Sequence, residues 1–280
     1  MDGVKIRKAK YYIASLSGGK DSLAMVLKII ELKLPLTHVI FFDGGMEFKA
    51  VYAIIDKIRP IIEAYGAKLI IVKPEVDFLM QMLIAPVEER KTKNIHYGYD
   101  WCGGRCRWRT THKVTAINKY ISSLDGDYVQ YIGMAVDEPE RIDKSNNKIY
   151  PLVELNMTEK DCLEYCFSKG WHWKENGIEL YSILKRVSCW CCKNKNLDEL
   201  RNIYHFLPYY WNLLKGMQSR IDRPFHGNKT IFDLEERFKK EDQMLEERLK
   251  KECEMGVVQN VVQNEICFDK NGNLITSKEN

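Results

Sequence analysis

Residues 17–22 read SGGKDS, set between the apolar run YYIASL and a stretch whose apolar positions recur with helical spacing. Ser17, Gly18 and Gly19 let a backbone turn tightly and approach a ligand without Cβ clashes. A helix starting near Lys20 presents N–H groups and the positive end of its dipole, which together cradle an anion. Lys20 adds a charge, and the hydroxyls of Ser17 and Ser22 can donate to phosphate oxygens. Lys20, Asp21 and Ser22 are the candidate catalytic groups. The pattern is neither G-x-x-x-x-G-K-[ST] nor G-x-G-x-x-G, which excludes the P-loop and the dinucleotide fingerprint. Asp43, after a second apolar run, and Asp21 are the carboxylates nearest in kind to a magnesium ligand. For Asp21, complementing the helix dipole is an equally good reading.

A second set of chemistry-bearing residues is cysteine. Cys102-x3-Cys106 and Cys189-x2-Cys192 have short loop spacing and the neighbours Trp101, Trp108 and Trp190. Four thiolates converging from two loops suit a tetrahedral zinc site or a [4Fe–4S] cluster, with Cys191 as the alternate ligand. Cys162 and Cys166 lie four residues apart beside Leu163, Tyr165 and Phe167, and read as core. The run RCRWRTTHK places Arg105, Arg107 and Arg109, with His112 and Lys113, around an aromatic residue. Such a segment can hold a sulfate, a phosphate or a nucleic-acid backbone.

These groups need a scaffold. Residues 10–16, 36–42, 68–72 and 127–133 read as strands, and 20–34, 47–65, 109–123 and 159–169 as helices, the last capped by Thr158. The alternation predicts an α/β fold: a doubly wound, mostly parallel sheet with helices on both faces. Residues 74–108 lack a clean period and read as a long excursion over the active face; 137–150 read as a charged loop. Beyond 175 the pattern changes to helices at 196–219 and 231–252, a C-terminal extension that bears the cysteine cluster. The expected division is a nucleotide-binding domain over 1–172, a helical region over 173–252 completing the Cys site, and a tail over 253–280.

The totals bound the function. With 43 basic and 39 acidic residues, the net charge of +4 is too small to imply nucleic-acid binding by composition. No run of about 18 apolar residues is present, so no membrane span is expected. The first residues, MDGVKIRKAK, lack the apolar centre of a secretory signal, so a cytoplasmic location is expected. The nine cysteines are then expected to be reduced or metal-bound rather than paired.

SGGKDS resembles the PP-loop of the ATP pyrophosphatases. FFDGGMEF at 41–48, WCGGRCRW at 101–108, IGMAVDEPERI at 132–142 and SCWCC at 188–192 are similar, in order, to elements of the phosphoadenosine phosphosulfate (PAPS) reductase family within that superfamily. The Thr that precedes Gly45 in the family is Gly44 here, and the Arg after the glycine of the late loop is replaced by Met134-Ala135. The resemblance implies an adenine-nucleotide site made by Ser15, Ser17, Gly18, Gly19, Lys20, Asp21, Ser22, Phe42, Asp43, Gly45, Gly133 and Arg141. It implies ATP with Mg2+ as ligand, cleavage of the α–β bond with pyrophosphate release, and transfer to an unidentified acceptor, a small molecule or nucleic acid, in sulfur metabolism. A sulfur or electron donor protein is the implied partner. CWCC is similar to the segment of the DNA phosphorothioation members, which carry iron–sulfur clusters. Two other roles stay open. One is a sulfonucleotide reductase releasing sulfite, although the cysteine segment around Cys267 lacks the family's neighbouring glycine and histidine. The other is a nucleotide-binding component of an assembly without turnover.

Overall fold

A computed structural model describes residues 6–89, 91–102, 106, 108–142, 147–254, 266–268 and 274–276. In chain order the first elements are β1 (Tyr11–Leu16), α1 (Lys20–Glu31), β2 (His38–Phe42), α2 (Lys49–Ala64), β3 (Lys68–Val72), α3 (Phe78–Leu83), β4 (Pro86–Glu88) and β5 (Ile95–Tyr97). A π-helix, Trp108–Lys113, leads into α4 (Val114–Ser122), followed by β6 (Tyr128–Ile132), β7 (Lys148–Ile149), α5 (Pro151–Glu154), α6 (Glu159–Ser168), β8 (Lys174–Glu175) and β9 (Ile178–Glu179). Then come α7 (Leu180–Ile183), α8 (Leu197–Phe206), α9 (Pro208–Gln218), α10 (Ile231–Glu254), β10 (Ile266–Phe268) and β11 (Leu274–Thr276). The last two pair as an antiparallel hairpin; the segment VVQNVVQNE lies outside the described residues.

The chain divides into two compact units. The first comprises residues up to Gly98, Cys102–Leu180 and Arg186–Trp190. Its five-stranded sheet has the order β3-β2-β1-β6-β7, with every pairing parallel. Alternation along the strands gives each face its own helices. Ile13, Ile40 and Phe42 pack with Ile117 and Ile121 of α4 on one face. Ala14, Leu16, Val39 and Phe41 point to the other side and are buried too, where α1 packs on β1 and α2 on β3. The α/β, doubly wound expectation is met.

The differences from expectation have local causes. Helix α1 stops at Glu31 rather than at 34, because Lys33 turns left-handed (φ 54°) ahead of Pro35. The supposed shapeless excursion contains α3, whose cap Asp77 accepts N–H bonds from Leu79 and Met80, and the β4–β5 hairpin. The charged loop contains β7, the fifth strand of the sheet. The single helix expected over 196–219 is two, since Pro208 opens α9 and forces Leu207 out of helical geometry (φ −129°). In the second unit α8, α9 and α10 share a core of Leu200, Ile203, Trp211, Leu214 and Phe238, with Tyr204 set edge-on to Trp211.

Strand order decides where a ligand can bind. The chain leaves β1 for β2 and β3, then returns to lay β6 against the other side of β1. The carboxyl ends of β1 and β6 therefore flank a topological switch point, where open α/β sheets leave a crevice. Gly133, just past β6, makes that crevice tight: a Cβ there would lie 2.7 Å from Ser22 Cα and 3.0 Å from Ser22 N. Backbone cannot yield as a side chain can. Gly133→Ala should therefore lower stability by about 1–3 kcal/mol, read as a lower denaturation midpoint; an unchanged midpoint would contradict this close approach.

Candidate functional site

The SGGKDS segment forms the turn from β1 into α1. Gly18 adopts φ +75°, a conformation that side-chain-bearing residues rarely take. The N-cap of α1 is Gly19, which has no side chain to satisfy the first-turn amides. The first main-chain bond of the helix runs from Leu23 N–H to Gly19 O at 3.0 Å. Amides ahead of it have no intrahelical acceptor, the general condition of a helix start. The serines fix the loop rather than capping the helix. Ser22 Oγ accepts from Ser17 N–H at 3.0 Å and donates to Gly19 O at 3.0 Å. Ser17 Oγ lies 2.9 Å from Ser22 Oγ and completes the ring of bonds.

Lys20 is turned inward. Its side chain is 8% exposed, and its ammonium donates to Asp21 Oδ1 at 2.7 Å and Glu159 Oε2 at 2.8 Å. Burial acts to lower its pKa, but Asp21 and Glu159 outweigh burial and hold it above the ordinary lysine value. The Asp21 carboxyl is raised chiefly by burial; Lys20 draws it back, while Glu159 and Glu138 push it up again. Glu159 opens α6, and its N–H donates to Asp137 Oδ1 at 3.1 Å. Thr158 and Asp161 form the capping box of the same helix, as its sequence suggests.

Asp43 follows β2. Its Oδ1 accepts from Gly45 N–H at 2.9 Å and Tyr52 OH at 2.8 Å, and Lys73 Nζ lies 3.6 Å from Oδ2. Burial first, and Asp43 second, push the Tyr52 hydroxyl far above its usual pKa, so it remains a donor. Gly45 (φ +76°) has open space around it. Gly44 is explained by Trp108: a Cβ at 44 would lie 2.8 Å from the indole nitrogen. That nitrogen is buried and has no hydrogen-bond partner among the described residues. Phe42 is buried at the end of β2, and Ser15 Oγ accepts from Gln130 Nε2 at 3.0 Å.

The fold thus brings Ser17 to Ser22 together with Gly133, and places Asp43 and Gly45 after the adjacent strand. Arg105 and Arg107 lie outside the described residues, as do the side chains of Arg109 and Arg141. The backbone of Arg109 is in the π-helix, and that of Arg141 in a 3-10 turn. Cys162 and Cys166 are fully buried, as their spacing suggests. Burial raises both thiols, Cys166 to about 12, which leaves them poor nucleophiles. Cys189 Sγ donates to Glu47 Oε1 at 3.5 Å. Cys102, Cys106 and Cys189 fall in the first unit, and Cys191 and Cys192 in the second. Among the described residues, no group of three or more His, Cys, Asp or Glu side chains is arranged to hold a metal.

Sequence reasoning missed Glu159, Trp173 and Glu175. Trp173 donates its indole N–H to Gly18 O at 2.7 Å, and Glu175 Oε1 accepts from Ala50 N–H at 2.8 Å. Their partners lie more than a hundred positions away in the chain, so no local spacing could have marked them.

Fold and site define an α/β protein with a glycine-rich turn at its switch point. Residues 11–175 match the model of the phosphoadenosine phosphosulfate reductase domain, and the chain belongs to that family, part of the PP-loop superfamily that handles adenine nucleotides. A comparison with the curated proteins finds no match. Among the described residues, no helix is long and apolar enough to cross a membrane.

The Lys20–Glu159 pair yields a stability prediction. Glu159→Gln should cost about 1–3 kcal/mol at neutral pH, between the values typical of exposed and buried pairs. The folded-state pKa of Lys20 is raised, so the pair's contribution is complete below the unfolded lysine value. It is lost as pH rises through the folded value. The gap between wild type and variant in denaturant melts should therefore persist at neutral pH and narrow above about pH 10.4; a gap that widens there would refute the pairing.

Proposed function

We propose that the chain binds ATP at the SGGKDS turn and breaks its α–β bond, transferring adenylate to an acceptor and releasing pyrophosphate. The single observation that supports this most is the glycine-capped start of α1 at the switch point, with Ser17 and Ser22 locked to each other beneath it. A cradle of this kind suits the terminal phosphates of a nucleotide. The acceptor's nucleophilic atom forms a bond to the α-phosphorus, and the bond from that phosphorus to the α–β bridging oxygen breaks. Negative charge then grows on the departing pyrophosphate, where first-turn amides, the helix dipole and Lys20 stabilise it most.

Asp21 and Asp43 are the residues that would hold magnesium. The crowding of Asp21 by Glu138 and Glu159 fits a divalent cation, whose charge would relieve it. When bound, the ion would supply positive charge to the phosphate oxygens. Cys102, Cys106, Cys189 and Cys192 are proposed as zinc or iron–sulfur ligands from their residue type and sequence spacing alone, and no step is routed through them. The family also favours a second reading, reduction of a sulfonucleotide with release of sulfite.

Pyrophosphate release from ATP in the presence of candidate acceptors tests the first reading. Lys20→Ala should abolish it, and equal turnover in the variant would remove Lys20 from the reaction. Sulfite formation from a sulfonucleotide and a thiol donor, without pyrophosphate release, would replace the first reading by the second. Anaerobically purified protein should contain iron or zinc, and Cys189→Ala should lose most of it; metal-free protein, or unchanged content in the variant, would discard the four-cysteine site.

A further inference from the structure

We propose that Trp173 is a positioning residue for the phosphate cradle, and that it and the short β8–β9 hairpin it leads into brace the loop after β1 and the first turn of α2. Trp173 is fully buried, and its indole N–H donates to Gly18 O at 2.7 Å. In a trans peptide the carbonyl and the following N–H point in opposite directions. Holding the Gly18 carbonyl inward therefore aims the Gly19 N–H the opposite way, where it donates to Ser17 Oγ at 3.5 Å. One peptide of the cradle is thus oriented by a ring 155 positions along the chain.

The brace is itself held. Trp173 N–H donates to Glu179 Oε1 at 3.0 Å, and Leu180 N–H donates to Trp173 O at 2.8 Å. Two residues on from Trp173, Glu175 is buried and accepts the Ala50 N–H in the first turn of α2. That turn presses on the cradle from another side: a Cβ at Gly18 would lie 2.6 Å from Val51 Cγ1. One hairpin therefore fixes both the peptide plane at Gly18 and the helix start that crowds it. A buried indole N–H needs an acceptor, and here that acceptor is the carbonyl of the left-handed glycine in the cradle.

This inference rests on the cradle reading, and the two fail differently. ATP and AMP affinities would be measured by calorimetry, with magnesium, for wild type and Trp173→Phe. Wild type should favour ATP over AMP; no such preference overturns the cradle and the brace with it. Trp173→Phe keeps an aromatic ring and loses the N–H. Its ATP affinity should fall roughly five- to tenfold, the worth of one oriented hydrogen bond, with AMP affinity nearly unchanged. An equal loss for both nucleotides, or no loss, overturns the brace and leaves the cradle standing. If the variant does not fold, the wild-type protein provides the test through the NMR signals of its tryptophan indoles and loop amides. Titrating inorganic pyrophosphate should shift the Trp173 indole together with the Gly19 amide, because the two groups of one peptide polarise each other. An indole signal that stays still while the amide moves overturns the proposal.

Discussion

The structure depends on a helix start that is left without a side-chain cap. Most helices close their first turn with Ser, Thr, Asp or Asn; α6 and α8 of this chain do so with Thr158 and Asn196. Helix α1 begins after Gly19 instead. Its start is shaped by Gly18 in a left-handed turn, Ser22 tying Ser17 to Gly19, and Gly133 pressing bare backbone against Ser22. A side chain at Gly18 would strike Val51, and one at Gly133 the backbone of Ser22.

The charge around this turn is arranged as a cluster rather than as a positive patch. Lys20 lies between Asp21 and Glu159, Asp137 holds the backbone of Glu159, and Glu138 pairs with Arg186 at 3.4 Å. Several carboxylates thus surround the turn. In the nucleotide-binding reading proposed above, the attraction for an anion would come from the helix-start amides and the helix dipole, with Lys20 held by its acidic neighbours.

Much of this was legible in the sequence because it is local. Strand β3 has the limits its β-branched run suggests, and Thr158 caps α6 with Asp161 as the spacing implies. SGGKDS could be read because strand, turn and helix start are contiguous. What was not legible is either very short or distant. β7 is two residues inside a charged stretch, too brief to have a period. The β4–β5 hairpin hides in a polar run because much of its side-chain surface faces water. Trp173 and Glu175 act on the loop after β1 and the start of α2, and only the folded chain brings them there. The substitution of Gly44 for the family's Thr has its counterpart in Trp108, a relation that sequence spacing does not express.

The margins of the five-stranded sheet have a consequence for the company this protein keeps. On one side the outermost strand is only Lys148–Ile149, and on the other it is Lys68–Val72, which begins with an exposed lysine and is followed by another, Lys73. A two-residue rim offers too few open amide and carbonyl groups to template a foreign strand, and a lysine-flanked rim discourages one. The sheet is thereby guarded against stacking edge to edge with its own kind when the chain is crowded.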